Sequence, residues 1–220
     1  MDYNGRKLVP YIPPAEYDRV AHKFLEQFCP DALKNPMPVP IEEIAKTGLG
    51  LEVRYVCLSE ELDIYGMTIF TDGAVEVYDP DAGLYDTKAF KAKTVLIDPE
   101  AVKKTNIGCR NNTIAHECIH WYKHRYYYKM QKLSLPKYAK YCRCSVDQLP
   151  EATDEENIME AQAIGIAPRI LMPRDTFIEA AKHLGITYGQ DNRSAISTLA
   201  DFFDVSKQSV EIRLEECSLL

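Results

Sequence analysis

Hydrophobic and polar positions repeat along this chain with two different periods, and the period changes where the elements change. Residues 15–29 (AEYDRVAHKFLEQFC) place Val20, Phe24, Leu25 and Phe28 on one side of a helix. A second, short helix is predicted over 41–47, stopped by Gly48 or Gly50. The period then falls to two. Segments 51–57, 63–70, 74–79 and 93–98 read as strands, and Thr71-Asp72-Gly73 predicts a hairpin joining the second to the third. Residues 80–92 read as a loop. The helical period returns from a start between Ile107 and Thr113 and runs past Tyr128, with Asn106, Asn111 or Asn112 as its cap. That helix must stop before Pro136, and the segment on to Pro150 reads as irregular. Thr153 and Glu156 form a T-x-x-E capping pattern, so another helix is predicted from about residue 154. Pro168 ends or kinks it, and Pro173 opens the next one. The tail, 194–216, reads as two short helices with Ser206 capping the second.

Two helices, four strands and then helices to the end predict an α+β fold, with a small, mainly antiparallel sheet packed on helices. The 220 residues are 46% apolar and 27% charged, enough apolar surface for one globular domain over 1–220 with 191–220 as a helical tail within it. No apolar run reaches the roughly 18 residues that a membrane span needs. The start, MDYNGRKLVPYIPP, lacks the apolar stretch of a signal peptide, so a cytoplasmic location is expected. The seven cysteines are odd in number and form no CxxC pair, which fits reduced thiols better than a disulfide framework. Cys142-Arg-Cys144 reads as incidental rather than as a redox or metal pair, and Cys118 as a packing residue. The net charge of −7 argues against a general attraction to nucleic acid or to anionic membranes. The Lys-, Arg- and Tyr-rich stretch 123–143 reads as a solvated face, with a docking surface for an acidic partner or nucleic acid as the alternative.

The chemistry is concentrated in His116-Glu117-Cys118-Ile119-His120, an H-E-x-x-H on the long helix. Residues four apart stand on one helix face, one turn apart, so His116 and His120 can converge on a single zinc ion. Glu117 follows the first ligand and can take a proton from a water that the ion activates, which is the chemistry of peptide hydrolysis. His124 continues the series, but eight residues of helix span about 12 Å, too far for it to share a metal with His116. It is expected in a supporting or surface position, and His22 and His183 as structural or exposed. Residue 126 is a tyrosine, so the third ligand is expected to be an acid on a later element. Glu151, Asp154, Glu155, Glu156 and Glu160 are candidates. Glu160 is preferred, because Ala161, Ala163, Gly165 and Ala167 would let its helix lie tightly on the H-E-x-x-H helix. A group is also needed to hold the developing oxyanion, and Tyr122, His124, Tyr126 and Arg169 are the possibilities.

The run T-I-A-H-E-x-x-H over Thr113–His120, followed by Glu160, Ala163, Ala167, Leu171, Met172 and Pro173, resembles the ImmA/IrrE family of metallopeptidases. VLIDPE at 95–100 and the tail residues Leu199, Phe202, Val205, Ser206, Val210, Arg213 and Leu214 extend the resemblance over roughly 15–215. It implies a zinc peptidase domain with a thermolysin-like core, His116, His120 and Glu160 on zinc, and Glu117 as general base. It also implies a protein substrate, a helix-turn-helix transcriptional repressor guarding a mobile element or a stress response. The insertion at about 125–150 would flank the cleft and bear on substrate choice. Two other functions compete. Residues 195–214 can be read as a DNA-binding helix-turn-helix, yet 191–216 carry six acids (Asp191, Asp201, Asp204, Glu211, Glu215, Glu216) against Arg193, Lys207 and Arg213, which would repel phosphates. A metal-sensing regulator with the site intact but no turnover is the other.

Overall fold

A computed structural model of the protein describes residues 8–105, 107–130, 139, 141–145 and 154–220. Its helices are α1 (Tyr17–Phe28), α2 (Ile41–Glu43), α3 (Pro99–Thr105), α4 (Ile107–Ile119), α5 (Arg125–Met130), α6 (Asp154–Leu171), α7 (Arg174–His183), α8 (Arg193–Phe203) and α9 (Lys207–Glu216). A wide π turn, His120–His124, joins α4 to α5, and another, Ile44–Gly48, extends α2. The strands are β1 (Glu52–Tyr55), β2 (Ile64–Ile69), β3 (Gly73–Asp79), β4 (Leu84–Phe90), β5 (Thr94–Ile97) and β6 (Tyr141–Ser145). The fold is α+β, and all pairings but one are antiparallel.

Every residue of β5 is buried, which its sequence TVLI requires, and the sheet grows from its two edges. β1 pairs with β5 in parallel, β2 takes the other edge antiparallel, and β6 pairs antiparallel with β2. The period of two divides the sheet's faces. Val95 and Ile97 join the main core with Ile114 and Ala115 of α4. Met67, Ile69 and Leu96 face the other way, against Val75, Val77 and Phe90 of the β3–β4 ribbon. Each of these fully buried side chains stabilises the fold by about 1.5–3 kcal/mol.

Several expectations are corrected here. Thr71-Asp72-Gly73 does not form a hairpin between β2 and β3. β2 is apolar on both faces and central, with its two edges taken by β5 and β6. Asp72 instead ties the ends of the β3–β4 ribbon, accepting from the Ala92 N–H at 2.8 Å and from Lys91 Nζ at 3.0 Å. Residues 80–92 are not a loop, because β4 pairs with β3 along its full length. Six of its seven residues are exposed, so it carries no apolar alternation to read. The stretch 125–150 holds α5 and β6. Pro168 does not end α6, which continues to Leu171. The Thr153 cap, Asn106, Glu151 and the side chains of Cys142 and Cys144 lie outside the described residues.

The tail packs into the main core through Leu199, Phe203, Val210 and Leu214. Asp204 turns the chain in the left-handed region (φ 53°), and Ser206 caps α9 by accepting from the Ser209 N–H. This turn rests on Gly108 near the start of α4. A Cβ built there would lie 2.2 Å from the Val205 carbonyl carbon and 2.3 Å from the Ser206 nitrogen. The N-terminal end of α9, which a recognition helix would present to base edges, is therefore turned toward α4. Among the described residues no helix is long and apolar enough to cross a membrane.

Candidate metal centre

The site is built where α4 passes between the sheet and α6. Residues Thr113 to Trp121 are buried, with His116 at 2% exposure and Glu117 and His120 at 0%. A helix with polar groups in so dry a place needs partners for each of them. β2 supplies one set. Gly66 lets the strand approach closely, since a Cβ there would meet Thr113 Cγ2 at 2.7 Å and Glu117 Oε1 at 2.9 Å. Two residues on, the Thr68 hydroxyl donates to Glu117 Oε2 at 2.6 Å. The second oxygen, Glu117 Oε1, is buried with no hydrogen-bond partner. Burial raises the Glu117 carboxyl to about 7, against the lowering effects of His116 and the Thr68 bond, and Glu160 raises it further.

α6 supplies the acid. Glu160 Oε2 lies 3.2 Å from His116 Nε2, and Oε1 lies 3.2 Å from His120 Nε2. The two Nε2 atoms are 2.9 Å apart. His116, His120 and Glu160 form the group among the described residues that could hold a metal ion. One ligand atom from each of the three residues lies within 4.8 Å of the others, close enough to converge on one ion, and a two-imidazole, one-carboxylate set suits zinc. Burial works against the Glu160 charge, but the pull of His120 and the close contacts with both histidines outweigh it and hold the carboxyl well below the usual range. Burial pushes His120 down, against the pull of Glu160. Both directions favour the forms in which a metal takes these groups, an ionised carboxylate and a neutral imidazole.

The small residues of α6 do not all do what their sequence suggested. Ala163 and Ala167 are buried, but Ala161 is exposed, and Gly165 makes room for the Tyr17 ring of α1, which a Cβ would meet at 2.2 Å. Among the other acids, Glu155 is buried, and its Oε1 accepts from the Leu8 and Val9 N–H groups, the latter at 3.1 Å. It holds the N-terminal segment on α6.

His124 does reach the centre, behind His120. The π turn brings its Nδ1 to 3.2 Å from His120 Nδ1, and its Nε2 lies 3.0 Å from Gln162 Oε1. Gln162 Nε2 in turn donates to the Pro10 carbonyl at 2.8 Å. Burial pushes His124 down to about 3.

The structure does not bring Tyr122 and Arg169 to the centre. Tyr122 packs edge-on against Phe24 and Phe28 of α1. Arg169 donates to the Gly165 carbonyl and to Glu216 at 2.8 Å, with its guanidinium over the Tyr17 ring. Tyr126 is 62% exposed, flanked by Arg125 and Lys129. His22 and His183 are exposed, the former 3.5 Å from Glu26. Reading the sequence missed Thr68, Gly66, Gln162 and Pro10. A glycine inside an apolar strand was the available signal for Gly66, and a glutamine on the buried stripe of α6 was the one for Gln162. Nothing local marks Pro10.

A family model described as the IrrE N-terminal-like domain, Peptidase M78, matches residues 76–215, and the chain belongs to that peptidase family. No curated protein matches the chain.

Proposed function

We propose that this member of the IrrE N-terminal-like peptidase family is a zinc-dependent endopeptidase that cuts a protein regulator inside the cell. His116, His120 and Glu160 hold the ion, and Glu117 is the general base. The observation that carries this reading is the convergence of the two imidazole nitrogens, 2.9 Å apart, with the Glu160 carboxylate, whose two oxygens lie 3.2 Å from one nitrogen each, beside a buried carboxylate with one oxygen left unpaired. Zinc bound there supplies a Lewis acid for a peptide carbonyl and lowers the pKa of water.

The protein's own part is positional and acid–base. Thr68 fixes one oxygen of Glu117 and leaves the other as the only open acceptor on that carboxylate. A carboxyl raised to about 7 is suited to take a proton and give it back near neutral pH. The dry surroundings strengthen each of these interactions. The substrate is a protein, as the peptidase family implies. A helix-turn-helix repressor is the proposed one, on the resemblance of the motif and tail residues to the ImmA/IrrE peptidases.

The test is cleavage of a candidate repressor by the purified full-length protein loaded with zinc. The wild type is expected to cut. Glu117→Gln is expected to keep its zinc and to cut at least about 100-fold more slowly. Undiminished cutting by Glu117→Gln would remove Glu117 from the role. Zinc binding with no cutting of any repressor by the wild type would favour a metal-sensing role instead.

A further inference from the structure

We infer that a one-way hydrogen-bond relay, running from the Pro10 carbonyl through Gln162 and His124, fixes His120 in the tautomer whose bare Nε2 faces His116 and Glu160. This rests on the reading of His116, His120 and Glu160 as a metal centre, and it assigns positioning roles to residues outside that centre.

The direction of each bond follows from the one before it. A backbone carbonyl only accepts, so the Gln162 atom 2.8 Å from Pro10 O must be its amide nitrogen. The amide then turns Oε1, an acceptor, toward His124, and Nε2 of His124 at 3.0 Å must carry a hydrogen. His124 is 2% exposed, and its two ring nitrogens face an amide and an imidazole, neither of them a carboxylate. A ring so placed holds a single proton. Its Nδ1 is thus a bare acceptor, and His120 Nδ1, 3.2 Å away, is the donor. That leaves His120 Nε2 without hydrogen, pointing where His116 Nε2 lies at 2.9 Å and Glu160 Oε1 at 3.2 Å.

The relay opposes a competing arrangement. Without a metal, a carboxylate 3.2 Å from an imidazole nitrogen favours a hydrogen on that nitrogen. His120 would then donate to Glu160, and its ligand atom would be blocked. The relay holds the hydrogen on the far side of the ring, so the centre is kept ready. Two features of the fold make it possible. The π turn His120–His124 stacks the second ring behind the first. The N-terminal segment lies along α6, tied at Glu155 and again at Gln162, two helical turns further on. Pro10 lies outside the residues 76–215 that match the family model, so the end of the relay is supplied by a part of the chain beyond the matched domain.

The experiment uses the full-length, metal-free protein with 15N-labelled histidine, reading the tautomer of each ring by two-bond 1H–15N correlation. Zinc affinity is then measured by competition with a chelator. In the wild type His120 is expected to carry its hydrogen on Nδ1. Gln162→Leu removes both ends of the amide. It is expected to give His120 as a mixture of tautomers or as the Nε2–H form, and to weaken zinc binding about 10–100-fold. The His120 tautomer is the readout that a purely structural role of Gln162 would not move. A wild-type spectrum with the His120 hydrogen on Nε2 overturns the relay even if every variant fails to fold. Unchanged tautomer and affinity in a folded Gln162→Leu also overturns it. A wild type with the expected tautomer that binds no zinc leaves the relay standing and removes the metal reading.

Discussion

Glu117 sits at 0% exposure with one oxygen bonded to Thr68 and the other unpaired, an arrangement that costs stability and that the proposed general-base role would use. Thr68→Val keeps the shape and removes the donor. The buried carboxylate then loses its one hydrogen bond, and a loss of about 1–3 kcal/mol is expected in urea unfolding at neutral pH. The same change removes an interaction that lowers the Glu117 pKa, so the acidic limb of kcat/KM is expected to move to higher pH. A limb that stays in place contradicts the role of Thr68. Gly66→Ala is a harsher test, because the new methyl would press on Thr113 Cγ2 at 2.7 Å and on Glu117 Oε1 at 2.9 Å. It is expected to destabilise by about 1–3 kcal/mol through overpacking. At this scale the sequence is legible where function is written locally. That His116 and His120 share a face follows from helix spacing, whereas Glu160 is preferred for the small residues after it on α6, of which Ala161 is exposed and Gly165 faces Tyr17. Thr68 and Pro10 are not legible, because what recruits them is proximity across the fold, between residues 49 and 152 positions apart from their partners.

Helices α4 and α6 show how the elements carry the site. The H-E-x-x-H period places two imidazoles on one face, and the π turn after it carries a third ring to the back of the second. Helical spacing sets His124 apart from His116, and the group that could hold a metal among the described residues does not include it. Helical spacing could not foresee the π turn, which no residue pattern announces. Of the β3–β4 ribbon, β3 is legible and β4 is not, for a different reason. Its outer strand is exposed, and sequence alternation reports burial rather than pairing. The tail was read well because its signals are local: Ser206 caps α9, and Leu199, Val210 and Leu214 sit on buried faces. How the tail docks depends on Gly108. Gly108→Ala would force a methyl against the Val205 and Ser206 backbone, and a loss of more than about 2 kcal/mol is expected, measured by denaturant unfolding. A loss below about 0.5 kcal/mol would mean that the α8–α9 turn is not held where the contact places it.

Over the whole molecule, the N-terminal segment, the sheet and the later helices bury one cluster of ionisable groups, and this should be visible in stability. Burial lowers both His120 and His124, the latter to about 3, whereas in the unfolded chain each titrates near 6.5. Between those values the unfolded chain binds more protons. The two rings therefore lose stability as pH falls below about 6.5, by up to about 1.4 kcal/mol per pH unit each, while Glu117, raised to about 7, gains up to as much per unit over the same range, so a net loss of about one ring's worth is expected. Urea unfolding of the metal-free protein from pH 7.5 to 5 checks this, and a flat profile contradicts it. Zinc that binds only the folded form would add stability as the logarithm of its free concentration over Kd, so the melting temperature should rise with free zinc.

The most direct measurement is the metal content of the purified full-length protein, with His120→Ala and Glu160→Ala beside it. About one zinc per chain in the wild type, lost or greatly weakened in both variants, is the expected result. Wild-type protein that takes up no metal after incubation with zinc would contradict the metal centre. Zinc retained at full affinity in Glu160→Ala would contradict the assignment of the third ligand.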